Sequence, residues 1–233
     1  MGTDEYYGYI KGYPRYDISF DYFRRASYKN HPGSFYMMAK LYINGFVGSK
    51  SNDELKEAFK YLNTAIEYGN VAAINTMGLL YLNGTYPVKK DINTAIEFFE
   101  KASSKDYPYA YNNLGKICED EKDYKKAFDY YLVSADSGES WAANKIGDFY
   151  RKGVVGKKDL KKAFEYYTVS SESPKFILCP WSKYNLAKYF YECGNLEIGV
   201  KQDINMAVEL LEDVSDELVE AKEELIRLKN MQM

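Results

Sequence analysis

The chain has 233 residues, 46% apolar and 28% charged, with 31 Lys and Arg against 34 Asp and Glu and a formal net charge of −3. This is ordinary globular material, long enough to bury a continuous core, and its slightly acidic balance argues against a nucleic-acid protein, which carries a basic stripe. No run approaches the ~20 apolar residues of a membrane span, and the opening MGTDEYYGYIKG lacks the apolar core of a secretion signal, so a cytoplasmic protein without membrane contact is expected.

Residues 1–12 read as a lead. Tyr13 to Ala26 then reads as a single helix inside the most basic window, Lys11 to Lys29. After it come five helix pairs. Their first helices read SFYMMAKLYINGFVG (Ser34 to Gly48), AAINTMGLLYLNG (Ala72 to Gly84), YAYNNLGKICED (Tyr109 to Asp120), AANKIGDFYRKG (Ala142 to Gly153) and SKYNLAKYFYECG (Ser182 to Gly194). Their second helices follow an Asp-x-x-x-Ala-aromatic-x-aromatic-aromatic pattern or one close to it, as in DINTAIEFFEKA from Asp91, DYKKAFDYYLVSA from Asp123 and DLKKAFEYYTVSS from Asp159. Ser215 to Lys229 reads as a polar end-cap helix with one apolar stripe: Leu218, Ala221, Leu225 and Leu228. A repeated helix pair cannot bury its apolar face alone, so the copies must stack. The expected fold is an all-α, right-handed α-solenoid of about five antiparallel helix pairs over residues 13–214, closed by a cap over residues 215–233.

Spacing supports the register. From the small residue of one second helix to that of the next first helix, the steps Ser19 to Ala39, Ala58 to Gly78, Ala95 to Gly115 and Ala127 to Gly147 are all 20 residues, and Ala163 to Ala187 is 24. Within a pair the distance varies from 12 to 20, so length variation sits in the loop between the two helices. Gly45, Gly84, Gly153 and Gly194 are placed to end first helices. Asp91, Asp123, Asp159 and Asp203 are placed to cap second helices. Gly or Ala at the paired sites permits a close helix crossing.

Ala142, Ile146, Gly147, Tyr150, Gly153, Asp159, Lys162, Ala163 and Tyr166 together resemble the Sel-one-like repeat (SLR) family, a branch of the tetratricopeptide superfamily. The third unit departs through its 12-residue step from Gly115 to Ala127, the shorter tetratricopeptide spacing. The resemblance implies a superhelix whose first helices line a concave groove, acting as a scaffold or adaptor for protein partners.

On that geometry, the position three before each first-helix small residue faces the groove and reads Tyr36, Asn75, Asn112, Asn144 and Tyr184. A primary amide offers both donor and acceptor to an extended peptide backbone, so these residues form a candidate ligand ladder. Lys40, Lys116, Lys188, Arg151 and Tyr191 complete the candidate groove. The alternative reading is that the asparagines bond only to neighbouring helices. The insertion at the fifth junction carries Phe176, Ile177, Leu178 and Trp181, which either fold back on the fifth repeat or form an apolar contact patch.

No nucleophile elbow, phosphate loop or metal-binding pattern is present, and one histidine, His31, cannot serve most acid–base schemes. Neither a cofactor nor a metal nor a catalytic residue is expected. The functional expectation is non-catalytic binding of an extended peptide or partner helix, with a hydrolase-like or carbohydrate-binding enzyme or an RNA-binding repeat as alternatives. Oligomeric state is left open.

Tyrosine, 25 residues, falls mostly at the bulky positions of the repeat, as core filling. Three cysteines indicate reduced thiols: Cys118 takes a bulky repeat position and is expected buried, whereas Cys179 and Cys193 fall in or near connections. The thermal midpoint is therefore expected to be the same with and without reductant. A large fall on reduction would show Cys179 and Cys193 bridged.

Overall fold

In the computed structural model the described residues are 9–10, 13–14, 16–172 and 179–232. A two-residue antiparallel ribbon, β1 (Tyr9–Ile10) and β2 (Tyr13–Pro14), pairs Tyr9 with Pro14 and Ile10 with Tyr13. Twelve α-helices follow among the described residues: α1 (Tyr16–Ser27), α2 (Pro32–Ile43), α3 (Asn52–Glu67), α4 (Val71–Asn83), α5 (Ile92–Ser103), α6 (Pro108–Asp120), α7 (Tyr124–Asp136), α8 (Ser140–Lys152), α9 (Leu160–Glu172), α10 (Pro180–Leu186), α11 (Ile204–Glu212) and α12 (Val219–Gln232). The helix of α10 runs on as a π-helical turn over Ala187–Tyr191. The chain divides into two compact units, Met1–Ala110 and Tyr111–Met233.

Helix ends follow the local chemistry expected of them. Asp91, Asp123, Asp159 and Asp203 each accept a hydrogen bond from the backbone N–H three residues on, at 3.1, 3.2, 2.9 and 2.9 Å, satisfying a donor the helix itself leaves unpaired. Gly84 and Gly153 end α4 and α8 in the left-handed conformation, at φ of 66° and 68°. There a side chain would be strained, and the following carbonyl bonds depend on the turn.

Each pair is locked by a small residue on the first helix and a large one on the second, four positions after that helix's own small residue. The couples are Ala39 with Leu62, Gly78 with Phe99, Gly115 with Tyr131, Gly147 with Tyr167 and Ala187 with Leu211. The five large members are fully buried. Size is complementary: alanine faces leucine, glycine faces an aromatic ring. A Cβ added at Gly78 would stand 2.6 Å from Phe99 Cε1, at Gly115 2.6 Å from Tyr131 Cε1, and at Gly147 2.7 Å from Tyr167 Cδ1. Those distances are shorter than any van der Waals contact, and the rings have no room to retreat.

The constant step between pairs has an equally local cause. Seven residues after the second-helix alanine stand Ala65, Ala102, Ser134 and Ser170; five before the next first-helix small residue stand Ala73, Ala110, Ala142 and Ser182. All eight are fully buried. Small residues on both sides let consecutive pairs approach closely, which fixes the geometry of the joint. The four-residue insertion of the fifth junction leaves this contact in place: Ser170 Oγ donates to the Ser140 carbonyl at 2.5 Å and touches Ser182 Oγ. Phe176, Ile177 and Leu178 lie outside the described residues. Trp181, 37% exposed, meets Tyr184 edge-on.

At the far end α12 lays Ala221 and Leu228 into the cluster formed by Ala187, Ala207 and Leu211, with Leu218 and Leu225 half-buried beside it. Cys118 is half-buried, not buried, and Cys179 is buried at the start of α10, while Cys193 is exposed. All three are free thiols.

Gly115→Leu and Gly147→Leu are expected to cost roughly 1–3 kcal/mol or more by overpacking the crossing, read as a lower urea midpoint. In the milder Gly147→Ala, trimming the facing ring with Tyr167→Leu recreates the Ala–Leu couple of the first and fifth pairs. The double variant is then expected to be more stable than the sum of its singles.

Candidate functional site

Behind the crossings of the second unit, two buried tyrosines carry their hydroxyls out to charged residues on the first helices. Tyr131 OH donates to Glu119 Oε2 at 2.8 Å, and Lys145 Nζ donates to the same carboxylate at 3.1 and 3.2 Å while lying 5.2 Å from the Trp141 ring centre. One pair further on, Tyr167 OH donates to Asp148 Oδ1 at 2.8 Å and accepts from Arg151 Nε at 3.1 Å. Arg151 Nη2 also donates to Asp148 Oδ1, at 2.9 Å, and the guanidinium sits 4.0 Å from the ring centre of Tyr189 on the next first helix. Burial, then the carboxylate beside each hydroxyl, pushes both phenols above their ordinary pKa. They stay protonated and remain donors at all physiological pH values.

These charged heads are only partly wet. The Arg151 and Asp148 side chains are 19% and 21% exposed. Each head is held by two or more fixed partners, so it loses little freedom when something binds. Lys188 Nζ extends the row, donating to Tyr184 OH at 2.8 Å. On α12, Arg227 bridges Glu224 at 2.9 Å and Glu192.

The asparagines sit differently from the open ladder expected of them. Asn75, Asn112 and Asn144 are 6%, 8% and 5% exposed. Asn112 Nδ2 donates to Glu139 Oε2 at 2.6 Å, and Glu139 in turn caps α8 by accepting from Ala142 N at 2.7 Å. Asn144 Oδ1 accepts from Asn185 Nδ2 at 2.9 Å. In the second unit the position three before the small residue thus faces the joint between consecutive first helices, where a close approach covers the amide. Tyr184 is likewise buried.

Of the other candidates, Lys116 is exposed and Arg151, Lys188 and Tyr191 are half-buried in the second unit. Tyr191 packs edge-on to Phe164. Tyr36 and Lys40 are half-buried on α2 in the first unit, with Lys40 Nζ 5.8 Å from the Tyr36 ring centre. Lys145, Trp141 and Tyr189 were not singled out in sequence, although Lys145 stands out as the one charge in the row two before the small residue: Met37, Thr76, Asn113, Lys145 and Asn185.

Among the described residues no group of three His, Cys, Asp or Glu is placed to hold a metal ion, and no helix is long and apolar enough to cross a membrane.

The repeated pairs, with their constant joints and glycine-on-ring crossings, define an α-solenoid repeat protein. The Sel1 repeat family model matches residues 1–31, 36–70, 71–107, 108–139, 142–173 and 182–212, and the chain belongs to that family. A Sel1 repeat protein from Oxalobacter formigenes has the same fold, with a TM-score of 0.74 at 28% identity over 89% of this chain and 82% of that one. The chain is also 30% identical over 105 residues to the ERAD-associated E3 ubiquitin-protein ligase component HRD3B of Arabidopsis thaliana, covering 45% of this chain and 17% of the relative. It is 28% identical over 147 residues to chitin synthase regulatory factor 3 of Schizosaccharomyces pombe, covering 59% of this chain and 16% of the relative. The chain thus spans less than a fifth of the length of these two curated relatives.

Asn144→Ala removes a buried hydrogen bond and strands the Asn185 amide. The expected loss is about 1–3 kcal/mol of stability, read as a lower urea midpoint. An unchanged midpoint would return Asn144 to the list of binding residues.

Proposed function

We propose that the chain is a non-catalytic protein-interaction scaffold or adaptor that binds an acidic extended peptide or partner helix along its first helices. The contact residues in the second unit are Lys116, Arg151 and Lys188, flanked by the aromatic faces of Trp141 and Tyr189. The observation that carries this reading is Arg151. Its guanidinium is gripped by Asp148 and the Tyr167 hydroxyl and stacked on Tyr189, a preorganised cation at a half-buried position. Such a group costs little entropy to engage and is a typical interface anchor. The names of the two curated relatives, a ligase component and a regulatory factor, accord with an adaptor role.

A cross-linking capture with the intact chain tests it. Lys116→Glu combined with Lys188→Glu is expected to weaken capture of an acidic partner about tenfold or more, with circular dichroism and melting temperature unchanged. Equal capture by the folded double variant would overturn the reading.

A further inference from the structure

The first helices of the last two pairs end on the same pattern, except that the fifth carries one residue more. GDFYRKG (Gly147 to Gly153) is matched by AKYFYECG (Ala187 to Gly194). From the small residue to the closing glycine, Ala39 to Gly45, Gly78 to Gly84 and Gly147 to Gly153 each span six positions, and Ala187 to Gly194 spans seven. Burial shows which residue is extra. Two after the small residue, Leu41, Leu80, Ile117 and Phe149 are buried, whereas in the fifth pair the buried side chain is Phe190, three after. The backbone agrees. Asp91 and Asp159 donate their N–H to the carbonyls of Tyr81 and Tyr150, three after the small residue, at 2.9 and 3.0 Å; Asp203 donates to Tyr191, four after, at 2.8 Å.

The surplus residue is taken up by the π-helical turn, in which the Glu192 N–H bonds the Ala187 carbonyl five residues back at 2.9 Å. Single turns of this kind inside α-helices recur at functional sites. Tyr191 thereby takes the place of Tyr150, and Tyr189 is left over, 38% exposed, with its ring centre 4.0 Å from the Arg151 guanidinium. The Tyr167 hydroxyl and Asp148 hold one edge of that guanidinium, at Nε and Nη2. Arginine carries five N–H donors in one plane, so the Nη1–Nη2 edge is the one a further carboxylate can grip with two bonds.

We propose that Tyr189, displaced from the core by the π-helical turn, is the positioning residue that sets specificity at Arg151. Its ring covers one face of the guanidinium and keeps the plane from turning, so that Nη1 and Nη2 take one carboxylate side chain of the acidic peptide. The added residue serves this contact and not the stability of the helix. The proposal rests on the acidic-peptide reading above and assigns it a particular seat.

The probe is a fluorescein-labelled synthetic peptide with Glu at alternate positions, together with its Gln counterpart. Binding to the full chain is read by fluorescence anisotropy. Expected results are saturable binding of the Glu peptide and about tenfold or more weaker binding of the Gln peptide. Deletion of Tyr189 lets Ala187 to Gly194 match Gly147 to Gly153 residue for residue. The deleted chain is therefore expected to fold with a urea midpoint at or above that of the unaltered chain, yet to bind the Glu peptide about tenfold or more weakly. Tyr189→Ala is expected to show the same loss, Tyr189→Phe to keep binding, and Arg151→Lys, which keeps the charge without the fork, to lose it. Glu-peptide binding that survives Tyr189→Ala, or that Tyr189→Phe abolishes, overturns the proposal. A deletion that unfolds the chain or lowers its midpoint also overturns it, because the turn would then serve stability. No binding of the Glu peptide by the unaltered chain overturns this proposal and the reading above together. Binding kept by Tyr189→Ala but lost with Lys116→Glu and Lys188→Glu combined overturns this proposal alone.

Discussion

The whole array depends on one contact, the packing of a large second-helix side chain onto a first-helix residue with little or no side chain. Where the first helix offers glycine, the ring of Phe99, Tyr131 or Tyr167 lies directly on backbone; where it offers alanine, Leu62 or Leu211 fills the smaller space. A close-packed interior has no slack for both members to be large. The couple therefore sets the crossing distance of each pair, and with it the direction in which the remaining side chains of the first helix point.

That contact also reaches the surface. A phenylalanine at the crossing ends inside the protein, and the residues one and four after Gly78 on α4 are Leu79 and Leu82. A tyrosine there needs a partner for its hydroxyl once it leaves water. In the second unit Glu119 and Asp148 accept from those hydroxyls, and Lys145 and Arg151 gather on the two carboxylates. The polar character of the second-unit face is thus tied to the choice of Tyr over Phe at a buried position. Stability and the arrangement of surface charge share the same side chains.

Joints and loops divide the tolerance for change. The fully buried small residues at each joint keep the helices they bring together in close contact, while the loops inside the pairs differ in length without disturbing a crossing. The fifth junction shows the same rule under stress. The Ser170–Ser182 contact persists although four residues are added to the junction, and the serine hydroxyls, small enough to fit, satisfy each other and the Ser140 carbonyl.

The sequence by itself determined the helix pairs, their register, the aspartate caps, the glycine stops and the small residues at the crossings. All of these rest on spacing and residue size, which are local or periodic properties. Tertiary structure decided what the asparagines do, because a residue three before the glycine shows no outward sign of how closely the next helix approaches. Once Asn185 comes within 2.9 Å of Asn144, the amide belongs to the joint. It likewise decided that Arg151 is held from behind by a buried tyrosine of the other helix and covered by Tyr189 of the next pair. Those partners are 16 and 38 residues away in sequence, and only packing brings them together.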